Sequence, residues 1–127
     1  MKRVLFVCVE NSNRSQMAQA FAQMVGGAQV EALSAGSKPS GRINPKAIRF
    51  MAELGYDLSS HQSKSLDQVS GDFDAVITMG CGDNCPWVPA RIRQDWALPD
   101  PRDMDDDGYR AVRDEIGTRV RALLGSL

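Results

Sequence analysis

The sequence predicts an α/β fold, a three-layer sandwich with a central four-stranded parallel sheet. Two observations predict it. Short runs rich in β-branched residues alternate with segments whose apolar residues recur at helical spacing, and strands that alternate with helices pair in parallel through right-handed crossovers. A length of 127 residues, of which 43% are hydrophobic, is enough for one core. We therefore expect a single domain over residues 1–127.

The first part of the chain predicts two strands and the helix between them. Residues 4–9 form a nearly continuous apolar run, which is typical of a central strand buried on both faces. Helical spacing begins at Arg14 and ends at Gly26 and Gly27, because glycine favours a helix C-terminus. Residues 29–35 are expected to form the second strand.

The rest of the chain predicts two more strands and two more helices. Asn44 and Pro45 are typical of a helix start, and the polar residues 56–70 that follow this helix are expected to be irregular. Residues 73–79 predict the third strand, and a brief fourth strand is expected near residues 93–98. The C-terminal helix has its buried stripe at Val112, Ile116, Val120 and Leu123.

Composition argues against several classes of partner. The net charge is −1 and the pI is about 5.8, and no basic patch indicates nucleic-acid binding. The N-terminal apolar run is shorter than the roughly 7–15 residues of a signal-peptide core. No segment approaches the ~20 apolar residues of a membrane span. We therefore expect a cytoplasmic protein that binds neither nucleic acid nor a membrane. We also expect a monomer, although composition does not determine the oligomeric state.

The three cysteines give the first indication of chemistry. Cys8, Cys81 and Cys85 are an odd number and too few for a disulfide scaffold, and a reducing compartment would keep them as thiols. Cysteines in this setting are more often catalytic or metal-binding than structural.

The segment that joins the first strand to the first helix carries the strongest functional motif. Backbone N–H groups in such a loop, and the helix N-terminus behind it, bind anions. Arg14 adds a forked guanidinium that suits a tetrahedral oxyanion. The same groups favour the thiolate of Cys8 and predict a nucleophile; the alternative is a buried strand-end thiol. The predicted oxyanion-binding residues are Val9, Glu10, Asn11, Ser12, Asn13, Arg14 and Ser15.

Motifs along nearly the whole chain resemble one known family. They are the loop from Cys8 to Ser15, Ser34-Ala35-Gly36, Asn44-Pro45, His61 with Ser63, Cys81 with Cys85-Pro86, and Asp100-Pro101. In this combination the chain resembles the thioredoxin-coupled arsenate reductases, which share the flavodoxin-like fold of the low-molecular-weight protein tyrosine phosphatases. The loop and the Asp-Pro pair serve both groups, whereas the extra cysteine pair favours the reductases.

The resemblance implies arsenate reduction by a three-cysteine relay, for arsenic detoxification, with no cofactor and no bound metal. Cys8 would attack arsenate, with Arg14 holding its oxygens and Asp100 protonating the leaving one. Cys81 would then attack Cys8 and release arsenite. Cys85 would attack Cys81, leaving a Cys81–Cys85 disulfide for thioredoxin to reduce. Glutathione or mycothiol is the alternative reductant.

Some positions depart from the family pattern. Glu10 stands where glycine is usual and adds a negative charge near the anion site, and Asn13 replaces a frequent cysteine. Some relatives hold a potassium ion beside the loop with acidic side chains. This chain has Gln19 and Lys64 at the matching positions, so no such ion is expected, and the Lys64 ammonium is a candidate to replace it.

Several alternatives stay open. A tyrosine phosphatase would use the same loop and Asp100 but neither Cys81 nor Cys85. A non-catalytic protein would bind a metal or metalloid through its thiols, and Cys81 and Cys85 with His61 lack a clear fourth ligand for zinc. We expect His61 to be a hydrogen-bonding structural residue. The acidic run at residues 103–107 resembles a calcium loop but fits the start of the last helix better.

Overall fold

A computed structural model describes residues 1–80 and 87–127 of the chain. Within these ranges the strands are β1 (Lys2–Cys8), β2 (Val30–Gly36), β3 (Phe73–Thr78) and β4 (Ala90–Asp95). The α-helices there are α1 (Arg14–Gly26), α2 (Pro45–Ala52) and α3 (Asp106–Ser126). None of the helices in the described ranges has the length and apolar character needed to cross a bilayer.

The four strands form one parallel sheet in the order β2-β1-β3-β4. In its register Cys8 lies beside Gly36, and Thr78 lies beside Asp95. Since all four strands run the same way, their carboxyl ends meet at one edge of the sheet, where open parallel sheets bind ligands. The predicted fold class and the parallel four-stranded sheet are confirmed.

Apolar side chains cover both faces of β1. On one face Val4 and Phe6 pack in the cluster that holds the buried residues of α1, α2 and α3. On the other face Leu5 and Val7 pack with Leu66, which lies in one turn of 3-10 helix. Burial on both faces explains why β1 reads as a continuous apolar run.

The fourth strand differs from its prediction. A strand was expected near residues 93–98, whereas β4 begins three residues earlier, at Ala90, and ends at Asp95. β4 is an edge strand with charged, largely exposed side chains such as Arg91 and Arg93. A strand that buries so little apolar surface has no hydrophobic run to mark its start.

The acidic run near residues 103–107 lies at the start of α3. Asp105 is the N-cap, and its side-chain oxygen accepts a hydrogen bond from Gly108 N–H at 2.8 Å. Asp106 and Asp107 occupy the first turn, where the helix dipole favours negative charge. These aspartates therefore stabilise a helix N-terminus, which is the interpretation that the sequence analysis preferred over a calcium loop.

Candidate active site

The loop between β1 and α1 turns its backbone carbonyl groups toward the flanking segments. Five consecutive carbonyl oxygens in it each accept a hydrogen bond from a flanking segment, at distances between 2.8 and 3.0 Å: those of Val9, Glu10, Asn11, Ser12 and Asn13. In a trans peptide unit the carbonyl and the following N–H point in opposite directions, and the described chain has no cis peptide bond. The N–H groups of residues 10–14 therefore face away from the flanking segments, in an arrangement that binds anions.

Asn11 holds the loop in this shape. Its φ of 51° lies in the left-handed region, which asparagine adopts more readily than most residues. Its side-chain oxygen accepts hydrogen bonds from Lys64 N–H and from Gln16 Nε2, both at 2.9 Å. Its Nδ2 donates to Ser15 Oγ, also at 2.9 Å. The side chain thus ties the turn to α1 and to the segment that follows α2.

Cys8 lies at the base of this loop with its sulfur beside a hydroxyl group. The residue is 4% exposed, and Sγ lies 2.8 Å from Ser15 Oγ. Because the Ser15 hydroxyl already accepts a hydrogen bond from Asn11 Nδ2, its own proton is available to the sulfur. Donation to the sulfur stabilises a thiolate, which is the nucleophilic form of cysteine.

The guanidinium of Arg14 is fixed beside the loop at the start of α1. Its Nη1 donates to Leu98 O at 2.7 Å. A Cβ at position 80 would lie 3.2 Å from Nη1, so glycine there leaves room for the guanidinium. Within the described part of the chain the buried Nε–H of Arg14 has no hydrogen-bond partner. Buried donors nearly always have one, and an oxyanion in the adjoining cavity is a suitable acceptor.

A cavity of about 240 Å³ brings several predicted site residues together. Cys8, Arg14 and residues of the loop line it, and Asp100 and Arg102 line it from the segment after β4. Asp100 Oδ1 accepts a hydrogen bond from Arg102 N–H at 3.0 Å, which holds the carboxylate at the cavity wall. A nucleophile, a cation and a carboxylic acid group thus adjoin one space of a size suited to a small oxyanion.

Two of the predicted site residues lie outside the described part of the chain, and two further residues contribute to the site. The predicted relay residues Cys81 and Cys85 lie outside the described residues. The sequence interpretation missed Arg102 in the cavity wall and the fully buried Gln16, whose Nε2 donates to Gln62 O at 2.9 Å. Arg102 lies two residues after Asp100, and Gln16 directly follows Ser15. Closeness in sequence to a predicted site residue does not by itself indicate a role in the site.

A chain of polar contacts supports the loop from behind. His61 Nδ1 lies 3.0 Å from Gln16 Oε1, and His61 Nε2 lies 2.5 Å from Tyr56 OH. Gln16 in turn donates to the side chain of Asn11, the residue in the left-handed region. His61 therefore has the hydrogen-bonding, structural position that the sequence predicted.

We expect the free energy of unfolding to decrease as the pH falls below 6.5. Burial, and then the charge of Lys64, lower the pKa of His61 below its ordinary value of 6.5, while Asp57 acts in the opposite direction. The unfolded chain therefore takes up the proton first as the pH falls, which favours unfolding. Urea unfolding between about pH 7 and 5 measures the slope of the free energy of unfolding against pH, and this slope should be smaller in His61→Gln. His61 is the only histidine, so an unchanged slope would contradict its assignment.

Comparisons with known proteins give consistent results. The family model for low molecular weight phosphotyrosine protein phosphatase matches residues 3–127. The chain is 40% identical over 131 residues to the glutaredoxin arsenate reductase of Synechocystis sp., covering 100% of this chain and 99% of that protein. A solved arsenate reductase in its phosphate binding state is 39% identical with a TM-score of 0.91, covering 99% and 98% of the two chains. The thioredoxin-dependent arsenate reductase of Corynebacterium glutamicum is 37% identical with a TM-score of 0.81, over 99% of this chain and 61% of that one.

Proposed function

We propose that the chain, which belongs to the low molecular weight phosphotyrosine protein phosphatase family, reduces arsenate to arsenite with Cys8 as the nucleophile. Two relatives that cover 99% or more of the chain, at 39% and 40% identity, are arsenate reductases. The observation that carries the proposal is the position of Cys8 Sγ, at the base of a loop whose N–H groups are directed away from its flanking segments. A tetrahedral oxyanion held there by the loop and Arg14 has its central atom within reach of the sulfur.

The first step is attack of the Cys8 thiolate on the arsenic atom of arsenate. Asp100 donates a proton to the oxygen that leaves, so that it departs as water. The loop N–H groups and Arg14 hold the remaining oxygens and stabilise their negative charge. The product is a covalent adduct between Cys8 and arsenate.

Two further thiols complete the reduction in the proposed relay. Cys81 attacks Cys8 Sγ, the electron pair of the sulfur–arsenic bond passes to arsenic, and arsenite leaves. Cys85 then attacks Cys81 in the Cys8–Cys81 disulfide, which returns Cys8 as a thiolate and leaves a Cys81–Cys85 disulfide. The steps that follow arsenite release are ordinary thiol–disulfide exchange and need no cofactor.

We propose thioredoxin as the reductant of the Cys81–Cys85 disulfide, with the chain acting as a cytoplasmic monomer of one domain, residues 1–127. Thioredoxin dependence of the Corynebacterium glutamicum relative supports this choice. The name of the Synechocystis relative makes glutaredoxin the competing reductant. A reducing compartment keeps all three thiols available for the relay.

Arsenite production from arsenate, with thioredoxin, thioredoxin reductase and NADPH, tests the proposal. Sustained production is expected, and a parallel assay with glutaredoxin and glutathione identifies the reductant. Hydrolysis of an aryl phosphate without arsenite production would make the chain a phosphatase. Stoichiometric binding of metal or metalloid without turnover would make it a binding protein.

Arg14→Lys should lower kcat/KM for arsenate by about 100-fold although the positive charge is kept. A lysine ammonium has no planar fork with which to donate to Leu98 O and to the oxyanion at fixed angles. The matched control is Arg49→Lys on α2, where the exposed Arg49 pairs with Asp106 at 3.0 Å and kcat/KM should stay at the wild-type value. An Arg14→Lys enzyme as active as the control would show that the fork is not used.

A further inference from the structure

A carboxylate lines the anion cavity. Glu10 belongs to the loop whose N–H groups form the anion site, and its half-exposed side chain lies at the cavity wall. Like charges a few ångströms apart repel each other, and the repulsion is stronger near a protein surface than in bulk water. A free carboxylate at this position would therefore weaken the binding of an oxyanion unless a cation lies beside it.

Arg102 supplies a cation from a separate segment. Its Nη1 lies 3.5 Å from Glu10 Oε2, and its Nη2 lies 3.9 Å from Asp100 Oδ2. Glu10 follows β1, whereas Arg102 follows β4 and lies 92 residues further along the chain. Both residues line the cavity, so their contact joins two segments that bound the same space. Both side chains are about half exposed, which places them where the cavity meets solvent.

We propose that the Glu10–Arg102 pair is a bridge across the cavity entrance that selects small inorganic oxyanions over phosphate esters. The inference deepens the proposed function and rests on it. Arg102 neutralises Glu10, so arsenate or phosphate enters without facing the unpaired charge of that residue. A phosphate ester must leave its organic group outside the loop, and the bridged side chains occupy the space through which that group would extend.

The charge and the size of the bridge have different consequences in variants. Arg102→Gln leaves Glu10 unpaired, so the affinity for inorganic phosphate falls. Adding Glu10→Gln removes the unpaired charge and restores that affinity. Arg102→Gln and the double variant lack the long arginine side chain of the bridge, so both should bind an ester better, relative to inorganic phosphate, than the wild type does. Glu10→Gln keeps a side chain of the same size, with an amide oxygen that Arg102 can still contact, so its selectivity should stay close to that of the wild type. If Arg102 acts by neutralising Glu10, adding Glu10→Gln should restore the affinity for inorganic phosphate. If the bridge also obstructs the entrance, the two variants without Arg102 should share the same change in selectivity.

Protection of Cys8 against iodoacetamide measures both effects by mass spectrometry. The experiment determines half-protecting concentrations of inorganic phosphate and of phenyl phosphate for the wild type, Glu10→Gln, Arg102→Gln and the double variant. Arg102→Gln should raise the value for inorganic phosphate about fivefold, and the double variant should return to within about twofold of wild type. The ratio of the half-protecting concentration of phenyl phosphate to that of inorganic phosphate should fall about fivefold or more in the two variants that lack Arg102.

Two results would overturn the proposal. If Arg102→Gln weakens phosphate binding equally with and without Glu10→Gln, Arg102 is an independent anion ligand. If the ratio of the two half-protecting concentrations stays at its wild-type value in both variants that lack Arg102, the pair does not select inorganic oxyanions over esters. The control is Arg119→Gln, which breaks an exposed ion pair with Glu115 on α3 at 2.9 Å and should bind both ligands as the wild type does. Circular dichroism verifies the fold of all variants. The assay needs no reductant, so its failure is distinct from an absence of arsenate turnover.

Discussion

Cys8→Ser should abolish arsenite production, because the sulfur of Cys8 takes part in every proposed step up to the formation of the Cys81–Cys85 disulfide. A serine hydroxyl is a far poorer nucleophile at neutral pH, and its oxygen cannot form the disulfide through which electrons leave the site. Arsenite release should therefore fall to the rate without enzyme. The fold should persist, since serine is close in size to the cysteine that ends β1 and has Ser15 Oγ as a hydrogen-bond partner.

Two measurements on Cys8 belong with this prediction. Iodoacetamide at about pH 6 should label Cys8 of the wild type in preference to other thiols, and inorganic phosphate should protect it, since the anion would occupy the loop above the sulfur. Circular dichroism of Cys8→Ser should match the wild type. Labelling that is indifferent to phosphate would contradict the anion loop, and arsenite production by Cys8→Ser above background would place the attacking group elsewhere.

Elements with a local signal are predicted closely from the sequence, and elements without one are not. The helix α1 begins at Arg14 and ends at Gly26, as predicted, because a loop before it and glycines after it are encoded in adjacent residues. The edge strand β4 starts at Ala90 rather than near residue 93. Its exposed arginines carry no apolar periodicity, and only pairing with β3 defines the strand.

The residues of the candidate site also differ in whether a local sequence pattern predicts them. Cys8 and Arg14 lie close together in the sequence, and a strand followed by a loop and a helix is enough to predict that they meet. Asp100 required the family resemblance, since an isolated Asp-Pro pair is typical of any turn. The contact of Arg102 with Glu10 depends on how the chain after β4 passes the loop after β1. No short-range pattern encodes a meeting of two surface side chains so far apart in sequence.

Cys85→Ser should release one arsenite per enzyme and then stop. Cys8 and Cys81 remain, so the adduct forms, Cys81 attacks it, and arsenite leaves in the first turnover. No third thiol then attacks Cys81, and Cys8 stays in a disulfide in which it cannot act as a nucleophile. Sustained turnover with thioredoxin should therefore fall to background, whereas the yield of the first turnover should equal that of the wild type.

A single-turnover arsenite assay with disulfide mapping by mass spectrometry distinguishes the relay from its alternatives. The stalled Cys85→Ser enzyme should carry a Cys8–Cys81 disulfide. The matched control, Cys81→Ser, should release no arsenite, because nothing resolves the adduct. A phosphatase would be indifferent to Cys85, and a metalloid-binding protein would release no arsenite from any variant. Sustained thioredoxin-driven turnover by Cys85→Ser would exclude the three-cysteine relay and leave a two-cysteine scheme, in which the reductant attacks the Cys8–Cys81 disulfide directly.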